Sequence, residues 1–205
     1  MGNQSTGRNC QKNKRYDTRR FLYADGNMAY NSISFGYGTI ESQRSISFSS
    51  DGNSVESYDV YKVRGDKNGT GLFEFMAANT TVEWSQAKTG IVGDNGLVGS
   101  EMCIRDSYEG KEHGINRLYS GQLYAGYTIR EQNHIHPDNT PYPSGSFNHP
   151  QYGKAGEWGD VGASAWVVGD RQKRGLSNPT FRIYLPRSKS YINYGPKSIR
   201  SNYGK

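Results

Sequence analysis

The feature that most narrows what this chain can fold into is His134-Ile135-His136, which follows an apolar run from Leu123 to Ile129. In an extended strand, residues i and i+2 point to the same side. The two imidazoles therefore aim at one point, and a metal ion wants that arrangement. Downstream, Gly159-Asp160 opens an expected helix, so an acidic group at a rigid position offers a third ligand. Three protein ligands leave a fourth position for water, which is the pattern of a catalytic rather than a structural zinc site.

The rest of the chain reads as short strands with a few helices. Phe21-Leu22-Tyr23, Ser45-Ile46-Ser47-Phe48 and residues 58–63 have strand composition, with turns at Asp25-Gly26 and Asp51-Gly52. Residues 71–79 predict a short helix capped by Asn79. Residues 80–85 predict a strand rich in β-branched and aromatic residues. Residues 89–92 add a short strand closed by Asp94-Asn95-Gly96, and residues 108–119 a helix weakened by Gly110 and Gly114. Residues 126–133 form the strand leading into the histidines. The loop over 137–159 is rich in Pro, Gly, Ser and Tyr, and a loop of that length in a compact domain is usually functional. Residues 160–168 predict a helix with Asp160 in its first turn. Residues 180–185 predict a strand, with 190–194 as its partner. Ser100-Glu101-Met102-Cys103-Ile104-Arg105-Asp106-Ser107 resembles a translated sequencing-adaptor read-through, so Cys103 is given no role.

Taken together, His134-Ile135-His136-Pro137, Pro143-Ser144-Gly145 and Gly159-Asp160 resemble the JAMM (MPN+, JAB) metallopeptidase pattern. The likeness is greatest to the JAB-like toxin domains at the C-termini of Rhs-type polymorphic toxins. It runs through Phe73-Glu74-Phe75, Val82-Glu83-Trp84-Ser85, Thr128-Ile129-Arg130-Glu131 and residues 136–145, and covers roughly residues 70–195. The resemblance implies an α/β fold with a mixed sheet flanked by helices, a JAMM or cytidine-deaminase-like core carrying a β-rich N-terminal extension. The expected organisation is a disordered basic arm over 1–20, the extension over 21–68, the JAB-like zinc domain over 69–195 and a disordered tail over 196–205. The same resemblance implies that His134, His136 and Asp160 hold Zn²⁺, that Glu83 is the general base and that Ser144 donates to an oxyanion.

Spacing departs from the family pattern. Asp160 lies 24 positions after His136, farther than the family places it, so an insertion over 146–158 must loop away. That leaves His149 and Asp138 as rival ligands. Glu74, on the expected helix, and Glu131, three residues before His134 and so on the opposite face of the strand, are rivals to Glu83. Tyr142, Phe147, Tyr152 and Trp158 either line a groove for an extended peptide or pack the insertion onto the domain.

Composition sets the remaining bounds. The 205 residues suffice for one domain with a core. Two cysteines, Cys10 and Cys103, make neither a disulfide framework nor a Cys-x-x-Cys zinc module. No apolar run reaches the roughly 18 residues of a membrane helix, and Met1 to Arg8 lack the apolar centre of a signal peptide. The net charge of +6 is concentrated at the ends and reads as solvated tails, with no paired-carboxylate or His-Asn-His nuclease motif. The expected function is zinc-dependent hydrolysis of a peptide or isopeptide bond by a toxin domain delivered as part of a larger secreted bacterial protein. The expected partners are a protein or peptide substrate, including ubiquitin-like or peptide-linked ones, and an immunity protein, not a membrane or a nucleic acid. The rival classes are an inactive or autoprocessing JAB-like binding module and a basic nucleic-acid-targeting toxin.

Overall fold

The computed structural model describes residues 16–21, 31–36, 38–48, 55–80, 83–90, 100–105, 119 and 128–204. The three expected turns, Leu22, Tyr23, residues 91–92, the arm up to residue 15 and, of the helix expected over 108–119, residues 108–118 lie outside them. The described strands are β1 (Tyr16–Phe21), β2 (Asn31–Gly36), β3 (Ile40–Phe48), β4 (Val55–Arg64), β5 (Trp84–Thr89), β6 (Ser100–Arg105), β7 (Ile129–Ile135), β8 (Thr180–Leu185) and β9 (Ser190–Tyr194). The helices are α1 (Asp66–Asn79) and α2 (Gly159–Lys173), followed by a 3-10 helix (Arg200–Tyr203). β1 and β2 pair with each other, and the other seven form one sheet in the order β3-β4-β6-β5-β7-β8-β9. Every pairing in it is antiparallel except β7 with β8. That parallel pair is joined through α2, the kind of crossover a parallel pair requires. The chain is thus α/β with a mixed sheet, as its sequence leads one to expect.

Strand parity assigns a helix to each face. Trp84, Ile135 and Tyr184 pack with Leu72, Phe73 and Met76 of α1 in one core. Ala87, Ile129 and Phe181 pack with Val167 of α2 and with Tyr119 in the other, Ile129 reaching that face because the β5–β7 register shifts between Lys88 and Thr89. Leu72, Phe73 and Met76 are wholly buried, each contributing about 1.5–3 kcal/mol of transfer free energy. His134 and His136 have the opposite parity to Ile135, so they share the face that α2 covers.

Several element boundaries differ from expectation, among them three whose cause is visible. α1 begins at Asp66 rather than 71, running through Gly69 and Gly71. The Asp66 carboxylate favours the positive end of the helix and is gripped by both terminal nitrogens of Arg130, at 2.5 and 3.1 Å. β5 begins at Trp84, not at residue 80. The Thr80 hydroxyl donates to Met76 O and accepts from Trp84 Nε1, local bonds that compete with strand geometry. α2 continues to Lys173, where Gly175 (φ 66°) turns the chain and Leu176 N–H donates to Arg171 O at 2.9 Å. β8 and β9 form the expected antiparallel pair. β3 and β4, from the region read as an extension, join the main sheet, as does the backbone of the adaptor-like segment, which lies between β4 and β5 as β6. In the region read as a tail, Arg200 N–H donates to Ser146 O.

Candidate metal centre

β7 delivers His134 and ends one residue before His136, whose N–H keeps the sheet's edge by donating to Tyr184 O at 3.1 Å. The two Nε2 atoms lie 3.1 Å apart. The first turn of α2 brings in Asp160, with one oxygen 3.2 Å from His134 Nε2 and the other 3.4 Å from His136 Nε2. These three residues are the group of His, Cys, Asp or Glu that could hold a metal ion among the described residues. His134 is 3 % exposed and His136 9 %. Burial alone would raise the carboxyl of Asp160, but the two imidazoles outweigh it and hold that group well below the usual carboxylate range.

The orientation of the His136 ring agrees with a metal site. His136 Nδ1 lies 2.9 Å from Thr140 O, and a carbonyl only accepts, so Nδ1 carries a proton and Nε2 is the ring atom left to bind a metal in place of a proton. The two Nε2 atoms and the carboxylate of Asp160 meet in a buried space, where they repel one another unless a proton or a cation lies among them. The donor set therefore fits a divalent metal on its own chemistry.

Glu83 precedes β5 by one residue, not on the strand as expected. Ser85 pairs with His134, so carrying that antiparallel register two residues further sets Glu83 opposite His136. Its parity is that of Ser85, which places it on the α2 face with the histidines. Glu83 is 9 % exposed, and with His136, Ser144, Thr140, Tyr142 and Phe147 it lines a cleft of about 370 Å³.

The 146–158 segment does loop away, from a neck that is closed. Ser144 N–H donates to Asp160 Oδ2 at 2.7 Å, Asp160 N–H donates to Ser144 Oγ at 2.9 Å, and Val161 N–H donates to Ser144 O at 3.1 Å. Gly145 (φ 78°) and Gly159 (φ 59°) make the approach possible. A Cβ on Gly145 would lie 1.8 Å from Trp158 O, and one on Gly159 would lie 2.3 Å from Ser144 Oγ. Beyond the neck, the rings of Phe147, His149, Tyr152 and Trp158 cluster, His149 stacked on Tyr152 and the other pairs tilted or edge-on. Arg200 lies over the rings of Tyr142 and Phe147. The insertion thus packs on itself and on the C-terminal segment, while Tyr142 and Phe147 also wall the cleft.

The rival residues sit elsewhere. His149 belongs to the insertion's aromatic stack, its Nδ1 accepting from Gln151 N–H. Asp138 borders the cleft but spends its carboxylate on the Thr140 N–H and hydroxyl. Glu131 lies with Lys88, Arg182 and Asn133 on the α1 face, and Glu74 of α1 accepts from the Tyr191 hydroxyl. Sequence reasoning misses two contributors: the Thr140 carbonyl, which carries no side-chain signal, and Tyr194, whose hydroxyl lies 3.4 Å from His134 Nδ1. No described helix is long and apolar enough to cross a membrane.

No curated protein and no solved structure matches the chain. A family model does, over residues 61–165, a span of just over half the chain that runs from β4 into α2 and holds Glu83, both histidines, Ser144 and Asp160. The chain belongs to the JAB-like toxin 1 family.

Proposed function

We propose that this domain is a zinc-dependent hydrolase of peptide or isopeptide bonds. The observation that carries the reading is the meeting of His134, His136 and Asp160 beside a cleft that His136, Glu83 and Ser144 line. Ligand atoms about 2.0–2.2 Å from a tetrahedral zinc must lie about 3.3–3.6 Å from one another. The 3.1 Å between the two Nε2 atoms, and the 3.2 and 3.4 Å from them to the two different oxygens of Asp160, lie close to that range, a little short of it for the first two, and support an ion of that size.

Zn²⁺ held there supplies a Lewis acid that acidifies water and polarises a carbonyl. The chain's own groups do the rest. Glu83, across from His136, takes the proton of the attacking water and returns it to the leaving amine. Ser144 Oγ already accepts from Asp160 N–H, so its own proton is free to be donated to the oxyanion. Tyr142 and Phe147 give an apolar wall against which an extended substrate lies. As a toxin domain it would act after delivery in a larger secreted protein, with an immunity protein restraining it before then.

The test is metal content together with cleavage of a peptide and isopeptide library. Purified protein should carry close to one equivalent of zinc and cleave library members. Glu83→Gln should keep the zinc and lose cleavage by two or more orders of magnitude, the scale of a lost general base. A protein without zinc, or a Glu83→Gln variant as active as the parent, sinks the proposal.

A further inference from the structure

The two candidate ligands on β7 are steadied in different ways. His136 is fixed by a backbone carbonyl, that of Thr140. For His134 the matching position, Nδ1, faces the hydroxyl of Tyr194 at 3.4 Å, and the two rings meet edge to face with centroids 5.6 Å apart. We propose that Tyr194 is the positioning residue that sets the tautomer and ring orientation of His134 for metal binding. The inference rests on the zinc reading above and adds a residue that lies outside the matched 61–165 span.

The sheet explains how a residue two strands away reaches this point. Tyr194 pairs with Phe181 across β8–β9, and Phe181 pairs with Gln132 across β7–β8. Gln132 is two residues before His134, so all three residues share the α2 face. Tyr194 stands two pair-rows behind His134, in the next row on the same face, and two strands over. Its ring lies against Phe181, with centroids 5.7 Å apart, and leans forward to bring the hydroxyl to the imidazole. His134 is 3 % exposed, so bulk water is not free to do the same work. With Nδ1–H donating to the phenol oxygen, the proton is kept off Nε2, the atom that faces His136 and Asp160.

Tyr194→Phe deletes the hydroxyl and keeps the ring and its contacts. The experiment measures Zn²⁺ affinity by competition with a chromophoric chelator, with thermal melting of the metal-free protein alongside. Tyr191→Phe serves as the control, because it loses a hydroxyl on the other face, where Tyr191 donates to Glu74. Zinc affinity should fall about 10- to 100-fold in Tyr194→Phe, the usual cost of losing a hydrogen-bond partner behind a ligating histidine. Melting should stay within a few degrees of the parent, and Tyr191→Phe should bind zinc like the parent. Because a structural loss lowers melting rather than affinity at fixed fold, a Tyr194→Phe protein that melts far lower yet binds zinc unchanged overturns the assignment. So does unchanged affinity at unchanged melting. A parent protein that takes up no zinc overturns both this inference and the reading beneath it, whereas a zinc-binding parent with an indifferent Tyr194→Phe overturns this one alone.

Discussion

Ser144 and Asp160 stand sixteen positions apart and hydrogen-bond each other in both directions. The pair works like a helix cap whose partner comes from a distant loop. It satisfies an N–H at the start of α2, where such groups have no partner within the helix. It also presents one oxygen of Asp160 to each histidine's side of the site. An insertion between the two residues is tolerated because its ends are joined before it leaves the domain.

That closure depends on two glycines, and Gly145→Ala tests it. The left-handed backbone alone costs an alanine on the order of 1 kcal/mol. The added Cβ would overlap Trp158 O at 1.8 Å, and a backbone atom has no rotamer by which to retreat. The expected result is a loss of about 3 kcal/mol or more in denaturant unfolding of the metal-free protein, typical of severe backbone strain. Gly156→Ala is the comparison: its φ is 88° but nothing lies within 4 Å of the new carbon, so only the backbone cost should appear. Equal losses in the two variants would show that the neck carries no strain of its own.

Asp160→Asn separates the metal from the fold. The amide keeps an oxygen that can accept from Ser144 N–H, but the negative charge that faces the two imidazoles is gone. Zinc uptake should drop below a tenth of an equivalent at micromolar free metal. The helix should lose only about 0.3–1 kcal/mol, the usual worth of an acidic group at a helix start. Inductively coupled plasma analysis and urea titration on one preparation read both quantities. A variant that keeps full zinc would remove Asp160 from the ligand set.

How far the sequence discloses this site follows from how local each signal is. The histidine pair is legible because strand parity needs no knowledge of neighbours. The α/β, mixed-sheet class comes from the family resemblance, whereas the local patterns mark short strands and helices one at a time. The place of Glu83 before β5 is not legible, since Thr80 and Trp84 form a local bond that delays the strand. Tyr194 is invisible because its position depends on two pairing registers in turn, β7 with β8 and β8 with β9. The long separation of His136 from Asp160 makes the metal group look broken in sequence, and only the close approach of Gly145 and Gly159 mends it.

Glu131 gives a prediction in pH. Burial pushes its carboxyl up, but the Asn133 amide and the charges of Lys88 and Arg182 outweigh burial and leave it lowered from 4.5. A carboxylate whose folded pKa lies below its unfolded one adds stability that is fully present above the unfolded value and disappears as pH falls through the folded value. Glu131→Gln should therefore unfold more easily than the parent at pH 7, by about 1 kcal/mol once partial exposure is allowed for. The gap should start to narrow near pH 4.5 and vanish in stronger acid. Urea midpoints of both proteins from pH 7 to pH 2.5 provide the check, and a gap that is constant across that range would contradict the assignment.

Ser144→Ala asks whether the hydroxyl caps the helix, serves the reaction, or does both. Its backbone N–H still donates to Asp160, so the carboxylate stays in place and zinc content should not change. Losing the acceptor for Asp160 N–H should lower stability by about 1 kcal/mol, the usual cost of deleting a cap. If the hydroxyl proton also meets the developing oxyanion, kcat should fall by about 10²- to 10³-fold with KM little altered, because that bond exists only as the transition state forms. Steady-state kinetics on any library member that the parent cleaves would separate the two roles. A stability loss with unchanged kcat makes Ser144 a cap alone, and the cleft would then have to draw its oxyanion donor from another group that lines it.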